Sequence, residues 1–343
     1  MTLPFVSVVI PMRNEIDWIE RCLGTVFAQD YPADRFEILV ADGQSDDGSR
    51  ELLDDLARRE PRLRVLENPH RIVPGGLNLA IAAARGEIIA RIDAHTEIEP
   101  DYLSVGVETL GRTGAENVGG PMICRGGGPV ADAIAAAMSS RWGVGAQFHF
   151  ATDERECDTV YMGMWPRHAF EEIGLFDEEL VRNQDDELNY RLRKHGGRIV
   201  VSPAMRSLYQ NRETWKALLR QFYQYGLWKT RVLQKHPRQM SVRHYIPPTY
   251  QLATFVALAV PLLRPLGAAS LILYGAAMAA VTLVEANGFG PRVRLWAALI
   301  AIHQSWAFGF LVGMVRFAPR WLVPEQPAPR LGEATHLEME EAR

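Results

Sequence analysis

An aspartate and a histidine stand two residues apart at the end of an apolar stretch, where Asp93, Ala94 and His95 follow Ile88–Ile92. A carboxylate oxygen and an imidazole nitrogen on one tight turn are able to bind a divalent cation, and the cation in turn neutralises a diphosphate. The alternative is structural, with Asp93 or Thr96 capping a helix that begins near Pro100. The triplet alone favours neither interpretation.

A second group of candidate catalytic residues begins a predicted helix, where Asp185, Asp186 and Glu187 follow one another. Consecutive acids in a first turn interact favourably with the helix dipole, which is the structural explanation. Two acids are sufficient for that purpose. The functional explanation is that one carboxylate, aimed into a crevice near the cation and partly removed from water, acts as a general base.

These residues need elements that bring them together, and the first 125 residues alternate between strand-like and helix-like stretches. Strand patterns cover residues 6–10, 38–41, 63–66 and 88–92, and helix patterns cover residues 16–27, 49–59 and 77–84. The alternation predicts right-handed crossovers and an α/β fold with a Rossmann-like, mostly parallel central sheet and flanking helices.

Each of the four predicted strands ends in polar residues. The clusters are Pro11 to Glu15 with Arg13 and Asn14, Asp42 to Ser49, Asn68 to Arg71, and Asp93 to His95. The carboxyl ends of parallel strands share one edge of a sheet, so the sequence predicts a continuous ligand-binding edge. The first strand is not followed by a Gly-x-Gly-x-x-Gly motif, and a dinucleotide fingerprint is therefore missing.

Residues 211–244 are rich in basic and aromatic side chains, and Glu213 is their one acidic residue. A basic amphipathic helix that carries Trp and Tyr is typical of a segment lying in a membrane interface. Nucleic-acid binding is the competing interpretation. The apolar sequence that follows, together with a net charge of −4 for the whole chain, argues against a nucleic-acid partner.

Three apolar runs follow, at residues 250–263, 266–286 and 295–315. The second and third have about the ~20 residues that a membrane-spanning helix needs. The alternative is a pair of buried core helices in a soluble protein. The polar residues Glu285, His303 and Gln304 are costly in lipid, so we expect them to face protein or the interface. The tail, residues 321–343, is predicted to be disordered.

The cysteines and the N-terminus indicate the compartment. Cys22, Cys124 and Cys157 are far apart and suit neither a disulfide framework nor a zinc site, which fits a reducing environment. The first residues lack a basic region before their short apolar run, which is a strand rather than a signal peptide. We therefore expect the N-terminal part to be cytoplasmic.

Taken together, the polar strand ends, Gly174–Glu178 and the acidic helix start with Asp185 resemble family 2 inverting glycosyltransferases of the GT-A fold. Among these the chain is most similar to the membrane-bound enzymes of succinoglycan-type exopolysaccharide assembly. The resemblance implies a GT-A domain at residues 1–207, with a nucleotide-sugar-binding half (1–125) and an acceptor-binding half (126–207). Basic interface helices (208–245), membrane helices (246–320) and the tail would follow.

The resemblance also implies roles for individual residues. The nucleotide-sugar site would contain Pro11, Arg13, Asn14, Glu15, Asp42, Arg71, Asn78, Asp93 and Ala94. Asp93 and His95 would bind the metal, and Asp185 would be the catalytic base, with Asp186 and Glu187 beside it. The acceptor side would contain Gly163, Trp165, Gln221, Gln224 and Trp228.

The sequence departs from the family pattern at three positions. His95 replaces the usual Asp, which removes a charge and favours a softer ion such as Mn²⁺ over Mg²⁺. Gln184 replaces the usual Glu, so that a neighbouring acid would share the work of the base. Gln224 replaces an Arg that often contacts the acceptor diphosphate.

The expected function is transfer of a sugar from a nucleotide diphosphate, most simply a UDP-sugar, to a hydroxyl of a lipid-linked saccharide. The expected location is the cell inner membrane, with the catalytic domain in the cytoplasm. Two alternatives stay open: a sugar nucleotidyltransferase, against which the lack of a Gly-rich, Lys-bearing triphosphate loop counts, and a degenerate scaffold that binds nucleotide without turnover.

Overall fold

The computed structural model describes residues 3–144, 147–149, 151–323 and 327–331. These residues divide into two compact units. The first contains residues 3–123, 147–149, 151–209 and 327–331, and the second contains residues 124–144 and 210–323. Residues 126–144, which the sequence assigns to the acceptor-binding half, therefore group with the helices that follow residue 209.

The strands are β1 (Val6–Met12), β2 (Phe36–Asp42), β3 (Leu63–Glu67), β4 (Ile88–Arg91), β5 (Thr96–Ile98), β6 (Asn117–Gly120), β7 (Met122–Arg125), β8 (Arg155–Glu156), β9 (Tyr161–Pro166), β10 (Ile199–Val201) and β11 (Ser207–Gln210). The helices are α1 (Ile19–Phe27), α2 (Ser49–Arg59), α3 (Val73–Ala83), α4 (Tyr102–Thr113), α5 (Pro129–Ser139), α6 (Arg167–Ile173), α7 (Gln184–Lys194), α8 (Trp215–Lys235), α9 (Val242–Ala259), α10 (Arg264–Glu285) and α11 (Phe289–Arg316).

The central sheet of the first unit has the strand order β3-β2-β1-β4-β9-β6-β10-β8. Strands β3, β2, β1 and β4 are parallel, which confirms the arrangement expected for the first third of the chain. Strand β9 runs antiparallel to both β4 and β6. The sheet as a whole is therefore mixed, because β9 enters the middle of the sheet in the opposite direction.

Alternate side chains of the central strands enter two apolar cores, one on each face of the sheet. Val6, Val8 and Ile10 of β1 belong to one core, which also contains residues of α1, α2 and α4. Val9 belongs to the other, with residues of α3, α6 and α7. Helices on both faces explain why these strands are nearly continuous apolar runs.

The buried carboxylate of Glu37 on β2 joins three segments of the first unit. Its side chain is 2% exposed. Oε1 accepts hydrogen bonds from the Ser7 hydroxyl (2.8 Å) and the Arg85 amide (2.7 Å), and Oε2 accepts one from the Arg85 guanidinium (3.0 Å). Burial alone would raise the pKa of Glu37, but these hydrogen bonds outweigh it and leave the pKa below its ordinary value.

We expect Glu37→Gln to destabilise the fold by about 1–3 kcal/mol at pH 7, because the buried Ser7 hydroxyl and the Arg85 amide would lose a charged acceptor. The native pKa lies below the unfolded one, so this contribution is complete above about pH 4.3 and is lost as the pH falls through the native pKa. Chemical denaturation of both proteins at several pH values measures it. Glu51→Gln, at an exposed position of α2, is the control, and equal stability of wild type and Glu37→Gln at pH 7 would contradict the assignment.

In the second unit, α8 and α11 approach until their backbones touch. A Cβ atom at Gly226 would collide with the Trp306 carbonyl, and one at Gly309 would collide with the Tyr223 carbonyl. Small residues permit such close helix pairs. Lys229 and Arg231 of α8 are consequently buried, 6% and 3% exposed. The sequence predicts that residues 208–245 lie in a membrane interface, and that placement stays a prediction.

Two helices of the second unit are long and apolar enough to cross a membrane, namely Pro261–Glu285, which includes α10, and α11. Their interrupting polar residues have protein partners. Glu285 accepts a hydrogen bond from the Ser140 hydroxyl (3.0 Å), and the His303 ring bonds the Trp142 carbonyl (2.7 Å) and the Tyr274 hydroxyl (2.9 Å). Glu285 and His303 thus contact protein, as the sequence predicts.

Residues 327–331 return to the first unit. The Leu175 amide donates a hydrogen bond to the Pro329 carbonyl (2.8 Å), and Leu331 packs against one of the two apolar cores. The predicted disordered tail (321–343) is therefore too broad, since this part of it binds the loop that begins at Gly174. Residues 324–326 and 332–343 of that tail lie outside the described residues.

Candidate active site

The loops that follow β1 and β2 are hydrogen-bonded to each other. The Asn14 amide group donates to Asp46 Oδ1 (2.8 Å), and its oxygen accepts from the Asp46 backbone amide (3.0 Å). The Glu15 amide donates to the Ser49 hydroxyl (3.0 Å). Two of the four predicted polar clusters therefore form one surface.

The loop after β3 joins this surface through Arg71. Its Nε donates to Gln44 Oε1 (2.6 Å), and Gln44 Nε2 donates to Glu67 at the end of β3 (3.1 Å). Asn14, Gln44 and Arg71 all have φ near +56°, a conformation that non-glycine residues rarely adopt. Such strain persists where the surroundings enforce it, and it concentrates at functional sites.

The end of β4 completes the edge. The Thr96 amide donates to the Asp93 carbonyl (2.9 Å), which closes the turn that carries Asp93 and His95. His95 Nδ1 lies 3.3 Å from Glu15 Oε1, so β4 is linked to the loop after β1. The four strand ends singled out in the sequence are thus brought together in the structure.

Arg91 links this edge to the start of α7. Its guanidinium bonds Asp93 Oδ1 through Nε and Nη2, both at 2.9 Å. Burial raises the pKa of Asp185, while the Arg91 guanidinium opposes that rise and the Asp186 and Asp93 carboxylates add to it. Asp93, Arg91 and Asp185 therefore lie close enough to act on one another electrostatically.

A buried ion pair between two residues of α7 anchors this helix. Both Glu187 oxygens bond Arg191, at 2.6 and 2.9 Å, and Arg191 also donates to the carbonyls of Ile173 and Leu175. Glu187 is 1% exposed. This placement argues against the predicted part of Glu187 in proton transfer, because its carboxylate is buried against Arg191 and holds the helix.

Asp185 and Asp186 are half-buried in the first turn of α7, and the Asp186 amide donates to Asp185 Oδ1 (2.9 Å). Asn183 begins the helix with φ +62°. Asn189, one turn further, bonds Asn117 of β6 (2.8 Å) and the Thr159 hydroxyl (2.8 Å). The acid that the sequence singles out as the base therefore stands on a helix fixed to the sheet.

Several residues that are predicted to bind the nucleotide form hydrogen bonds within the protein. Asn78 donates to the Phe176 carbonyl and accepts from the Phe176 amide, both at 2.9 Å, and so ties α3 to the loop after α6. Asp42 is 1% exposed and accepts from the Ser45 hydroxyl (2.6 Å). Pro11 and Ala94 are buried and Arg13 is exposed. Nucleotide contacts by these residues stay predictions.

The acceptor-side residues of β9 belong to the protein interior. Trp165 is 1% exposed and packs against Phe170 and Phe176, with ring centroids 5.5 and 6.3 Å apart. A Cβ atom at Gly163 would collide with the Trp165 ring. Trp165 thus faces a core and Gly163 makes room for its ring, and their predicted place on the acceptor side stays a prediction.

Gln221, Gln224 and Trp228 lie on α8 in the second unit. Gln221 Nε2 donates to the Tyr225 hydroxyl (3.1 Å), and Trp228 packs against Phe317 with ring centroids 5.4 Å apart. Gln224 is half-buried. Their acceptor contacts stay predictions.

A divalent cation suits the donor atoms of Asp93 and His95, which are 17% and 22% exposed. Within the described part of the chain, no group of three His, Cys, Asp or Glu residues is placed to hold a metal. Two protein ligands are nevertheless sufficient for an ion that also binds substrate phosphates and water. The residues present therefore fit a cation that is bound together with a diphosphate.

Two residues that lie near Asp93 in the structure, Arg91 and Tyr161, have no role predicted from the sequence. Arg91 is charged, whereas the residues beside it in the sequence, 88–90 and 92, are all apolar. A buried charge is a recognisable sign of function. Tyr161 bonds the Thr96 hydroxyl (2.6 Å), and burial, followed by the Asp93 carboxylate, raises its pKa well above the ordinary value. No pattern in the sequence indicates that contact.

Solved structures define the class of the fold. The mannosyltransferase PcManGT from Pyrobaculum calidifontis, in complex with GDP-Man and Mn²⁺, aligns with a TM-score of 0.56 and 21% identity, covering 95% of this chain and 89% of that one. S. aureus TarS 1-349 in complex with UDP-GlcNAc aligns with a TM-score of 0.51 and 16% identity, covering 92% of each chain. The mixed α/β architecture is that of GT-A glycosyltransferases, as the sequence predicts.

Sequence comparison gives the family. The glycosyl transferase family 2 model matches residues 7–173. Succinoglycan biosynthesis protein ExoA of Rhizobium meliloti (strain 1021) is 31% identical over 330 residues, 91% of this chain and 96% of the relative. A dolichyl N-acetyl-alpha-D-glucosaminyl phosphate diacetamido-dideoxy-glucuronosyltransferase of Methanococcus voltae is 29% identical over 242 residues, 67% and 74% of the two chains. The chain belongs to glycosyltransferase family 2.

Proposed function

We propose that the protein is an inverting glycosyltransferase that moves a sugar from a nucleotide diphosphate to a hydroxyl of a lipid-linked saccharide. The observation that carries this proposal is the juxtaposition of Asp93, Arg91 and Asp185, since the donor-binding edge and a candidate base influence each other there. Membership of the family supports the reaction class.

The proposed reaction is a single displacement at the anomeric carbon. The acceptor oxygen forms the new bond to the anomeric carbon on the face turned toward Asp185, and Asp185 accepts the proton of the acceptor hydroxyl. The bond to the nucleoside diphosphate breaks on the opposite face, so an α-linked donor gives a β-linked product. A cation held by Asp93 and His95 would supply positive charge to the departing diphosphate. Arg91 orients Asp93 for that purpose.

The proposed donor is a UDP-sugar, and the proposed acceptor is carried by a polyprenyl diphosphate at the cell inner membrane. Two relatives, a succinoglycan biosynthesis protein and a transferase named for a dolichyl-linked saccharide phosphate, support such an acceptor. The two candidate membrane-spanning helices support the location. The catalytic unit would then face the cytoplasm.

A thermal-shift panel of UDP- and GDP-sugars on the purified full chain, with Mn²⁺, Mg²⁺ or a chelator, tests the donor. We expect one nucleotide sugar to raise the melting temperature and the cation to enlarge that shift, because a ligand that binds only the native state stabilises it by mass action. Transfer is then assayed with that donor and a lipid-linked saccharide, and NMR of the product gives the anomeric configuration.

Each alternative has its own signature in the same experiments. Release of pyrophosphate from a nucleoside triphosphate and a sugar phosphate would identify a nucleotidyltransferase instead. If the protein binds the donor in the presence of Mn²⁺ but neither transfers the sugar nor hydrolyses the donor, it is a degenerate scaffold. A product with the donor's own anomeric configuration would contradict the single displacement.

A further inference from the structure

Arg91 is a buried guanidinium with one unsatisfied end. Its side chain is 7% exposed. Nε and Nη2 bond one oxygen of Asp93, whereas Nη1 is a buried nitrogen without a hydrogen-bond partner in the part of the chain that the structure describes. A buried donor left unpaired is unfavourable, and native proteins seldom keep one without a ligand or water to accept it. Nη1 is therefore suited to an oxygen atom of a ligand.

The position of Arg91 indicates which part of the ligand that oxygen belongs to. The guanidinium is bonded to Asp93 and acts electrostatically on Asp185. In the proposed displacement the diphosphate lies at the Asp93 turn and the attacking hydroxyl lies at Asp185. The group between them is the sugar that is transferred.

We propose that Arg91 binds the donor sugar, with Nη1 donating a hydrogen bond to a sugar oxygen while Nε and Nη2 hold Asp93. This inference rests on the proposed function, and it adds a residue that recognises the sugar rather than the nucleotide. An arginine is suited to both tasks at once, because its planar fork presents several donors in fixed directions. A lysine is a compact charge that would still neutralise Asp93 but would not make both sets of bonds.

The test compares the affinities of two ligands for Arg91→Lys and for the wild-type full chain by titration calorimetry, with and without Mn²⁺. The ligands are the nucleotide sugar found in the panel and its nucleoside diphosphate. We expect Arg91→Lys to bind the nucleotide sugar about 10- to 100-fold more weakly, which corresponds to one charge-assisted hydrogen bond. Binding of the nucleoside diphosphate should change by no more than about threefold.

Arg64→Lys is the matched control, because Arg64 is a half-exposed arginine that pairs with Glu37 in the same unit, and it should leave both affinities unchanged. Arg91→Gln, which keeps an amide donor without the charge, is measured in parallel and should weaken binding of the nucleotide sugar more than binding of the nucleoside diphosphate. Thermal unfolding of each variant shows whether it is folded, and the affinity ratio is taken from whichever Arg91 variant folds.

Equal weakening of both ligands would overturn the proposal, because Arg91 would then act on the diphosphate or only through Asp93. Unchanged affinities would overturn it as well, as would unfolding of both Arg91 variants, which would assign Arg91 to the fold. These results leave the proposed function intact so long as the wild-type protein binds the nucleotide sugar. If the wild-type protein binds neither ligand, the proposed function itself fails.

Discussion

Replacing Asp185 with asparagine is expected to lower the rate constant for sugar transfer by about 10²–10⁴-fold, the usual contribution of a general base. Asparagine has nearly the same shape and keeps an oxygen that is able to accept the bond from the Asp186 amide. It does not accept a proton from the acceptor hydroxyl. The affinity for the nucleotide sugar should change little, because the proposed donor site lies mainly at the four strand ends.

Asp186→Asn is the matched control, since it removes the same charge one residue further along the first turn of α7. It should lower the rate far less than Asp185→Asn. The pH profile offers a second readout, because a general base acts only when it is ionised. The pKa of Asp185 is raised. As the pH is lowered, wild-type activity should therefore begin to fall at a higher pH than it would with an ordinary aspartate as the base. Near-normal transfer by Asp185→Asn with donor binding intact would exclude Asp185 as the base.

Arg191→Met should destabilise the fold by about 3–5 kcal/mol, the usual result of removing one partner of a buried ion pair. Glu187 would remain as a buried, uncompensated carboxylate, and the carbonyls of Ile173 and Leu175 would lose their donor. The loop that these carbonyls belong to also bonds Asn78 of α3. Transfer activity should therefore fall together with stability, since this anchoring sets the position of Asp185. Denaturant unfolding and the transfer assay measure the two effects.

Glu171→Ala in α6 is the control for Arg191→Met. It removes a carboxylate that is 56% exposed and lies 4.0 Å from Arg167 at the same i, i+4 spacing. Exposed pairs of this kind contribute about 0–1 kcal/mol. If Arg191→Met costs no more than Glu171→Ala, the ion pair does not hold α7, and the account of the anchoring is wrong.

The edge of the sheet could be predicted from the sequence because its signals are local. Each strand from β1 to β4 is an apolar run that ends in polar residues, and parallel pairing requires those ends to share one edge. The structure adds the bonds between the ends, such as Asn14 with Asp46 and Arg71 with Gln44. These bonds depend on backbone turns with positive φ. At positions that are not glycine, such turns are not evident from the residue type.

The surroundings of Glu187 and Trp165 depend on how distant segments of the chain pack, which a sequence pattern does not show. The sequence groups Glu187 with Asp185 because both begin one helix, but the helix turns Glu187 toward Arg191, which also bonds the carbonyls of Ile173 and Leu175. The sequence predicts Trp165 on the acceptor side, and the structure adds that it lies on a strand inserted antiparallel into the middle of the sheet, with its ring in a core. Sequence periodicity does not fix the direction of an inserted strand.

We expect the donor sugar to lie between the edge that carries Asp93 and the carboxylate of Asp185. A crystal structure of the Asp185→Asn protein with the nucleotide sugar and Mn²⁺ measures this most directly. We predict the diphosphate beside Asp93 and His95, and the face of the anomeric carbon opposite the diphosphate turned toward residue 185. A nucleotide bound away from the four strand ends, or an anomeric carbon whose open face is turned away from residue 185, would contradict the account.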